Sequence, residues 1–198
     1  MRPDSNARPE YIEAFREIAA RIATAVAGVP AAALPIKMYV AGGAALHFHT
    51  GERVSEDIDA VFSRRIALPE DLEVAYRDAD GAARLLYFDR QYSDALALMH
   101  EDAQRDSLPL ALAGFAAGRL EVRLLSPLDL AVSKLSRFSD QDRDDIVALA
   151  RHKLIRAAAL RVRAEQALAG YVGSLERIQG NIAQACRIVE DTERRHLR

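Results

Sequence analysis

Asp57 and Asp59 are the side chains whose type and spacing are best suited to chemistry in this chain. They begin a short apolar segment, Asp57 to Phe62, whose pattern predicts a strand. Side chains alternate between the two faces of a strand, so both carboxylates should project from one face, with Ile58 on the other. Two carboxylates held roughly 7 Å apart repel each other, and such a pair usually has a cation between its members. Magnesium is typically held by one or two carboxylates together with substrate phosphates.

Two glycines, Gly42 and Gly43, precede the aspartates at the point where one element gives way to another. An apolar strand from Ile36 to Ala41 is followed by a predicted short helix from Gly43 to His49. Glycine here frees backbone N–H groups at the helix N-terminus to face an anion such as phosphate. The alternative is a plain turn that uses glycine for its conformational freedom. A phosphate cradle beside a carboxylate pair is what metal-dependent phosphoryl or nucleotidyl transfer needs.

Two stretches of the chain resemble a known superfamily. The run GGAALHFHTGERVSEDID, residues 42–59, resembles motif I of the polymerase-β-like nucleotidyltransferases, in which Gly-Gly or Gly-Ser precedes Asp-x-Asp. The run SPLDLAVSKLSRFSDQDRDDIVALA, Ser126 to Ala150, resembles the later motifs of the AbiEii-type branch. That branch includes nucleotidyltransferase-like toxins of abortive-infection and toxin–antitoxin systems. The resemblance spans about residues 36–150, with weak similarity between 63 and 119.

The resemblance implies roles for the residues of the first motif. Asp57 and Asp59 would hold one or two Mg²⁺ ions that bridge the phosphates of a nucleoside triphosphate (NTP), the substrate, and would count as catalytic. Gly42 and Gly43 would cradle its triphosphate.

Arg53 and Ser55 lie in the loop before the aspartates, where the family often has Arg-x-Ser or Arg-x-Thr. Either residue would contact phosphate, or Ser55 would cap the turn. Both are therefore candidates for nucleotide binding.

The later motif contributes two further candidates by resemblance. Lys134 would contact the nucleotide phosphates, and Asp142 would act as a base or orient the acceptor. A structural alternative stays open for both, because Lys134 or Arg137 can pair with Asp142 or Asp145 across a helix hairpin.

A third carboxylate from a neighbouring strand usually completes the metal site in this superfamily. Glu121, in a predicted strand from Arg119 to Leu125, is the first candidate, and Asp89 is the second. Glu121 shares a face with Arg119 and Arg123, so a surface salt bridge is the alternative explanation for it. Another alternative is that no third carboxylate exists, which bears on whether the protein is catalytic at all.

The pattern of apolar residues predicts an α/β (α+β) fold, in which a small mixed sheet is flanked by helices and followed by a C-terminal helical bundle. We expect residues 1–150 to form the nucleotidyltransferase-like core with an N-terminal helix, and residues 151–198 to form a helical extension. The predicted helices are Glu10 to Val29, Pro69 to Asp78, Pro127 to about Phe138, Gln141 to about Arg151, and Ala157 to His196. The last of these is either continuous or broken around Gly170 to Gly173. The predicted N-cap of the helix that begins at Pro127 is Ser126, and that of the helix that begins at Gln141 is Ser139 or Asp140. Arg84 to Phe88 is a further predicted strand.

Composition bounds the class of protein. Half of the 198 residues are hydrophobic, which is ordinary for a globular protein. The single cysteine, Cys186, excludes an internal disulfide framework and fits a reducing cytosol. No apolar run approaches the ~20 residues needed to span a bilayer, and the first residues lack the apolar segment of a signal peptide. We therefore expect a cytoplasmic protein without membrane association.

Charge is distributed unevenly along the chain. Residues 151–198 carry ten basic and five acidic side chains, whereas the rest of the chain is acidic. A basic tail can serve tRNA or another RNA, an acidic partner such as a cognate antitoxin, or only its own solvated surface.

The sequence thus favours transfer of a nucleoside monophosphate from an NTP to an RNA 3′ end, a protein hydroxyl or a small molecule. A nucleotide-binding or regulatory module without turnover is the first alternative. A toxin-system component that acts mainly by binding an antitoxin is the second.

Overall fold

The computed structural model describes residues 6–95, 97–115 and 118–195. The chain divides into two compact units, one formed by Met1–Tyr92 with Ser107–Leu124 and the other by Ser93–Asp106 with Leu125–Arg198. Among the described residues, the first unit contains two mixed sheets and two α-helices, and the second is mainly helical. The predicted mixed α/β class is therefore confirmed. The division into a core and an extension at residue 150 stays a prediction.

The first unit is built from helices and strands that follow one another along the chain. In chain order they are α1 (Pro9–Ala25), β1 (Ile36–Val40), α2 (Gly42–Thr50), β2 (Asp57–Ile58), β3 (Ala60–Phe62), β4 (Glu73–Arg77), β5 (Ala83–Phe88), β6 (Leu108–Pro109) and β7 (Leu120–Leu124). One sheet has the strand order β3-β1-β7-β6, in which β1 and β7 are parallel. The other has the order β2-β5-β4, in which β2 and β5 are parallel.

Helix α1 covers the strands of this unit with one apolar face. Pro9 starts the helix, where its missing N–H is not needed. Tyr11, Phe15, Ile18 and Ile22 follow at helical spacing and are fully buried. The helix contacts β4, β5 and β7. It was predicted from its periodicity, and only its end at Ala25 is earlier than expected.

The strand predicted from Asp57 to Phe62 is divided between the two sheets. Up to Ile58 it pairs with β5, and the Ile58 carbonyl accepts a hydrogen bond of 3.1 Å from the Asp89 N–H. From Ala60 it pairs with β1, and the Asp59 carbonyl accepts one of 2.8 Å from the Ala41 N–H. Burial still alternates, with Ile58 and Ala60 buried and both aspartates partly exposed. Both carboxylates therefore lie on the less buried side.

The helix predicted from Pro69 to Asp78 is wrong. Its second half is β4, which pairs with β5 in antiparallel register. Leu72 and Val74 are buried and the residues between and after them are exposed, so the period is two rather than 3.6. Asp78 accepts hydrogen bonds from the N–H groups of Asp80 and Ala82 and so stabilises the turn into β5. Pairing with β5 thus overrides the local preference for helix.

Among the described residues, the second unit contains four α-helices, α3 (Pro127–Ser133), α4 (Asp140–Arg151), α5 (Ala157–Ala167) and α6 (Leu175–Arg195). The predicted cap Ser126 accepts a hydrogen bond of 3.0 Å from the Asp129 N–H. Ser139 caps α4 in a reciprocal capping box with Asp142. Helix α3 ends at Ser133, earlier than the predicted Phe138, because a turn follows and Phe138 itself has a φ of +52°.

Helix α6 packs against both α4 and α5. Its buried face includes Ile178, Ile182, Cys186 and Val189, which repeat at helical spacing. Burial raises the pKa of the Cys186 thiol. The C-terminal helices were predicted, although His196, the predicted end, lies outside the described residues. Within the described part of the chain, every helix is too short or too polar to cross a bilayer.

Candidate nucleotidyl-transfer site

Gly42 begins α2 directly against the carboxylate of Asp59. A β-carbon at position 42 would lie 1.9 Å from Asp59 Oδ2 and 2.8 Å from its Cγ. Gly42 also has a φ of +56°, which disfavours any other residue. The glycine is therefore needed both for its backbone conformation and for the close approach of the carboxylate to the helix N-terminus.

Gly43 meets a second pair of predicted site residues. A β-carbon at this position would lie 2.3 Å from Ser55 Oγ and 2.9 Å from Arg53 Nη2. Each glycine thus makes room for one part of the loop and strand that follow α2. The two halves of the sequence motif, which α2 and the loop after it separate along the chain, are in contact.

Ser55 connects this loop to the first aspartate. Its hydroxyl donates a hydrogen bond of 2.5 Å to Asp57 Oδ1, and the side chain is buried. This contact orients the carboxylate. It differs from both predicted roles of Ser55, the phosphate contact and the turn cap.

Ala41, the residue before α2, makes no side-chain capping hydrogen bond. The first N–H groups of a helix have no partner within the helix and carry partial positive charge, so they favour an anion. The start of α2 therefore places N–H groups beside the carboxylate of Asp59.

Tyr87 borders the aspartates on the exposed side of the sheet. It lies opposite Asp57 in the pairing of β2 with β5, and 40% of its surface is exposed. The charge of Asp57, followed by burial and the charge of Asp89, raises the pKa of the Tyr87 phenol. An exposed aromatic ring thus lies beside the carboxylates, which the sequence analysis did not identify.

The two candidates for a third carboxylate lie at different places. Glu121 is level with Lys37 of β1, whereas Asp59 is bonded to Ala41 four residues further on, roughly 13 Å along the strand. Glu121 instead forms an ion pair with Arg123. This structure therefore does not bring Glu121 to the aspartate pair.

Asp89 follows β5 and lies beside the same strand as Asp59. Its N–H donates to the carbonyl of Ile58, and its Oδ1 accepts a hydrogen bond of 2.8 Å from the Gln91 N–H. Within residues 6–95, 97–115 and 118–195, no three His, Cys, Asp or Glu side chains converge as metal ligands. By position, Asp89 is the better candidate of the two, although the three acids do not form a preassembled cluster.

Lys134 belongs to the second unit and is buried there in an ion pair. Its Nζ donates a hydrogen bond of 2.5 Å to Asp145 Oδ2 and lies 3.9 Å from Asp142 Oδ1. Only 6% of the Lys134 side chain is exposed. These contacts correspond to the structural alternative in which the two helices are joined by an ion pair. The phosphate contact implied by resemblance stays a prediction.

Asp142, in the second unit, accepts four hydrogen bonds from neighbouring residues. Arg137 donates two hydrogen bonds to it, at 2.9 and 2.8 Å, and the N–H and hydroxyl of Ser139 donate two more. Burial alone would raise the pKa of Asp142, but these bonds and the nearby charge of Lys134 lower it to about 2. A carboxylate with that pKa is a weak base near neutral pH. This environment favours a structural role over the predicted catalytic one.

His47 is a buried residue that joins α2 to its surroundings. Its Nδ1 lies 2.6 Å from the Glu52 carbonyl, and its Nε2 accepts a hydrogen bond of 3.2 Å from the Arg8 N–H. One nitrogen therefore donates and the other accepts, which describes a neutral imidazole. Burial lowers the pKa of His47 accordingly. These two hydrogen bonds hold the last turn of α2 in place, and the buried His47 ring is not exposed to a ligand.

Comparison with known proteins gives one match. A family described as a nucleotidyltransferase of unknown function (DUF6036) matches residues 20–184, which include every predicted site residue. No curated protein and no solved structure matches the chain significantly. The match supports the nucleotidyltransferase superfamily and does not extend to its AbiEii-type branch. Since the match covers most of the sequence, the chain belongs to this DUF6036 family of nucleotidyltransferases.

Proposed function

We propose that the chain transfers a nucleoside monophosphate from an NTP to a hydroxyl acceptor in a metal-dependent reaction. The observation that carries this proposal is the contact of the glycine pair with the aspartate strand. Gly42 lies against the Asp59 carboxylate, and Gly43 lies against the serine that orients Asp57. An anion site at a helix N-terminus is thereby joined to two carboxylates.

The residues present suit a magnesium–triphosphate substrate. Asp57 and Asp59 supply hard oxygen donors, which Mg²⁺ prefers over nitrogen or sulfur ligands. The start of α2 supplies N–H donors for phosphate oxygens, and Arg53 adds a guanidinium next to Gly43. A bound magnesium ion would neutralise charge on the phosphates and on the pyrophosphate that leaves.

The proposed roles of the protein side chains follow from these contacts. Gly42 and Gly43 hold the triphosphate against the helix N-terminus. Ser55 keeps the Asp57 carboxylate turned toward the ligand, and Arg53 binds a phosphate oxygen. Glu121 and Lys134 are not needed in this scheme, because each is already held in an ion pair.

The acceptor is an RNA 3′ end or a protein hydroxyl. The basic C-terminal residues are the support for RNA as the acceptor, and one of them, Arg163, already binds carboxylates within the protein. Arg163 bonds Asp129 at 2.7 Å and Asp106 at 2.8 Å, and only 14% of its side chain is exposed. That arginine stabilises the second unit, so an RNA contact would need other basic residues, such as the exposed Arg161.

Nucleotide binding without turnover is the second candidate. It is favoured by the absence of a converging carboxylate triad among the described residues. In this case the chain would act as a regulatory module. If it belongs to a toxin system, as its resemblance to AbiEii-type proteins suggests, binding of a cognate antitoxin would be its main interaction.

Label transfer separates these functions. The protein is incubated with Mg²⁺, each of four NTPs labelled at the α-phosphate, and total cellular RNA or protein. We expect transfer of label from one or more NTPs, and its loss in the double variant Asp57→Asn/Asp59→Asn. The double variant Asp80→Asn/Asp144→Asn, which removes the same charge from exposed positions, is the matched control. Magnesium-dependent NTP binding without transfer would favour the regulatory module, and the absence of such binding would contradict both.

A further inference from the structure

A polar cavity of about 270 Å³ lies in the first unit, at the start of α1 and beside the hairpin of β4 and β5. Its polar lining consists of Arg8, Glu10, Tyr11, Tyr76, Asp78 and Arg84. Val54, between the site residues Arg53 and Ser55, contributes an apolar wall. None of these lining residues belongs to the candidate transfer site, so the cavity is a separate feature of the fold.

Tyr11, one of the residues that line this cavity, carries a polar atom without a hydrogen-bond partner among the described residues. Its side chain is 0% exposed, and among the described residues its hydroxyl has no hydrogen-bond partner. Burying a hydroxyl without a partner costs free energy, so native proteins rarely do so without a reason. Burial is the main cause that raises the pKa of the Tyr11 phenol. Tyr76, Asp57 and Asp59 raise this pKa further, whereas the charge of Arg53 lowers it. The phenol therefore stays protonated and can donate.

The acidic side chains of the cavity already accept hydrogen bonds. Asp78 Oδ1 accepts from two backbone N–H groups, and Asp78 Oδ2 accepts from Arg84 Nε at 2.9 Å. Glu10 Oε1 accepts a hydrogen bond of 3.1 Å from the Ala79 N–H. Three of the four carboxylate oxygens of the lining therefore already accept a hydrogen bond within the protein.

Donor capacity remains. Arg8, the residue before α1, makes no side-chain capping hydrogen bond. It lines the cavity and is exposed. Arg84 has terminal nitrogens beyond the Nε that bonds Asp78. Guanidinium groups, a phenol and a helix N-terminus together favour an oxyanion ligand.

We propose that this cavity binds the phosphate group of a small phosphomonoester, with Tyr11 and Arg8 donating hydrogen bonds to its oxygens. The proposal does not depend on the proposed transfer function, because it needs neither Asp57 nor Asp59 nor a metal ion. Phosphate would satisfy the Tyr11 hydroxyl and lie at the positive end of α1.

Binding is measured by calorimetry on the full chain without magnesium and at fixed ionic strength. The probes are inorganic phosphate, adenosine monophosphate and adenosine. We expect adenosine monophosphate to bind and inorganic phosphate to compete with it, and adenosine to bind at least tenfold more weakly. Equal affinity for adenosine and its monophosphate would mean that the cavity recognises a nucleoside, and would overturn the assignment.

Two variants test the donors. Tyr11→Phe should lower the affinity for adenosine monophosphate at least tenfold without lowering the melting temperature of the ligand-free protein, since it removes an unsatisfied hydroxyl. Arg8→Ala, at an exposed position, should lower the affinity as much. Arg16→Ala, whose side chain pairs with Glu13 on the same helix, is the control and should bind normally.

Unchanged affinity in both Tyr11→Phe and Arg8→Ala would overturn the proposal. The Asp57→Asn/Asp59→Asn variant should keep metal-free binding of adenosine monophosphate. Failure of the proposed transfer function would thus appear in the label-transfer assay. Failure of ligand binding in this cavity would appear in the calorimetry without magnesium.

Discussion

The carboxylate of Asp59 occupies the space that a β-carbon of residue 42 would need, since the two would lie only 1.9 Å apart. Both residues belong to the Gly-Gly and Asp-x-Asp halves of one sequence pattern. Their contact explains why the first half requires glycine. It also indicates that the helix N-terminus and the aspartate strand are positioned as one unit.

Gly42→Ala should therefore disrupt the site. The new methyl group would push the Asp59 carboxylate away from α2, and the positive φ adds strain. We expect loss of magnesium-dependent NTP binding, by tenfold or more, together with a lower melting temperature. Calorimetry and thermal unfolding measure the two effects. Gly28→Ala, at a position with open space around the β-carbon, is the control and should leave both unchanged. Normal NTP affinity in Gly42→Ala would argue against a ligand at this helix N-terminus.

Ser55→Ala tests whether the orientation of Asp57 matters. The change removes the hydrogen bond of 2.5 Å and leaves the carboxylate free to rotate. We expect magnesium affinity in the presence of NTP to fall about tenfold, which corresponds to roughly 1.4 kcal/mol. Ser136→Ala, in the second unit, provides a comparison in which affinity should not change. If Ser55→Ala binds magnesium and NTP as the wild type does, Asp57 does not depend on this contact.

Lys134→Met separates the structural and nucleotide-binding roles of this lysine. Removing one partner of a buried ion pair, here the pair of Lys134 with Asp145, typically costs about 3–5 kcal/mol. The contacts predict a marked fall in stability, measured by urea unfolding, with NTP affinity unchanged in the folded protein. Adding Asp145→Leu should recover part of the loss, because the buried carboxylate that Lys134 contacted is then replaced by an apolar side chain. A tenfold loss of NTP affinity without loss of stability would restore the phosphate role.

The stability of the protein should depend on pH through Asp142. Its folded-state pKa of about 2 is lower than the pKa of about 3.9 of an unfolded aspartate, so the unfolded state binds a proton first as the pH falls. The stabilisation is present above about pH 4 and is lost between about pH 4 and pH 2, with a magnitude of about 2 kcal/mol. Urea unfolding across this range measures it. Asp142→Asn should flatten the dependence in this window, and an equally steep dependence in that variant would assign it to other carboxylates.

Features set by neighbouring residues could be predicted from the sequence. The apolar spacing of Phe15, Ile18 and Ile22 predicted α1, and the caps Ser126 and Ser139 predicted where helices begin. A capping hydrogen bond joins residues three apart, and a helical face repeats within one turn. Both are therefore determined locally.

The candidate site was predicted by residue type but not by contact. The spacing of Gly42, Asp57 and Asp59 indicated a phosphate cradle beside a carboxylate pair. The sequence did not indicate that Ser55 bonds Asp57, or that Glu121 is directed to another part of the sheet by its register with Lys37. Register depends on which strands pair, and the type of a polar residue between two strands does not indicate which residue it will contact.

The tertiary structure decided what depends on residues far apart in the chain. Glu73–Arg77 became a strand because β5 supplied its hydrogen-bond partner, against a local pattern that also allowed a helix. The change of partner at Asp59 and the burial of Lys134 against Asp145 arose in the same way. Local sequence therefore determined where the capped helices begin and which chemical groups are available. Long-range pairing and burial determined which of those groups meet, because these free energies depend on neighbours that the chain brings together only when it folds.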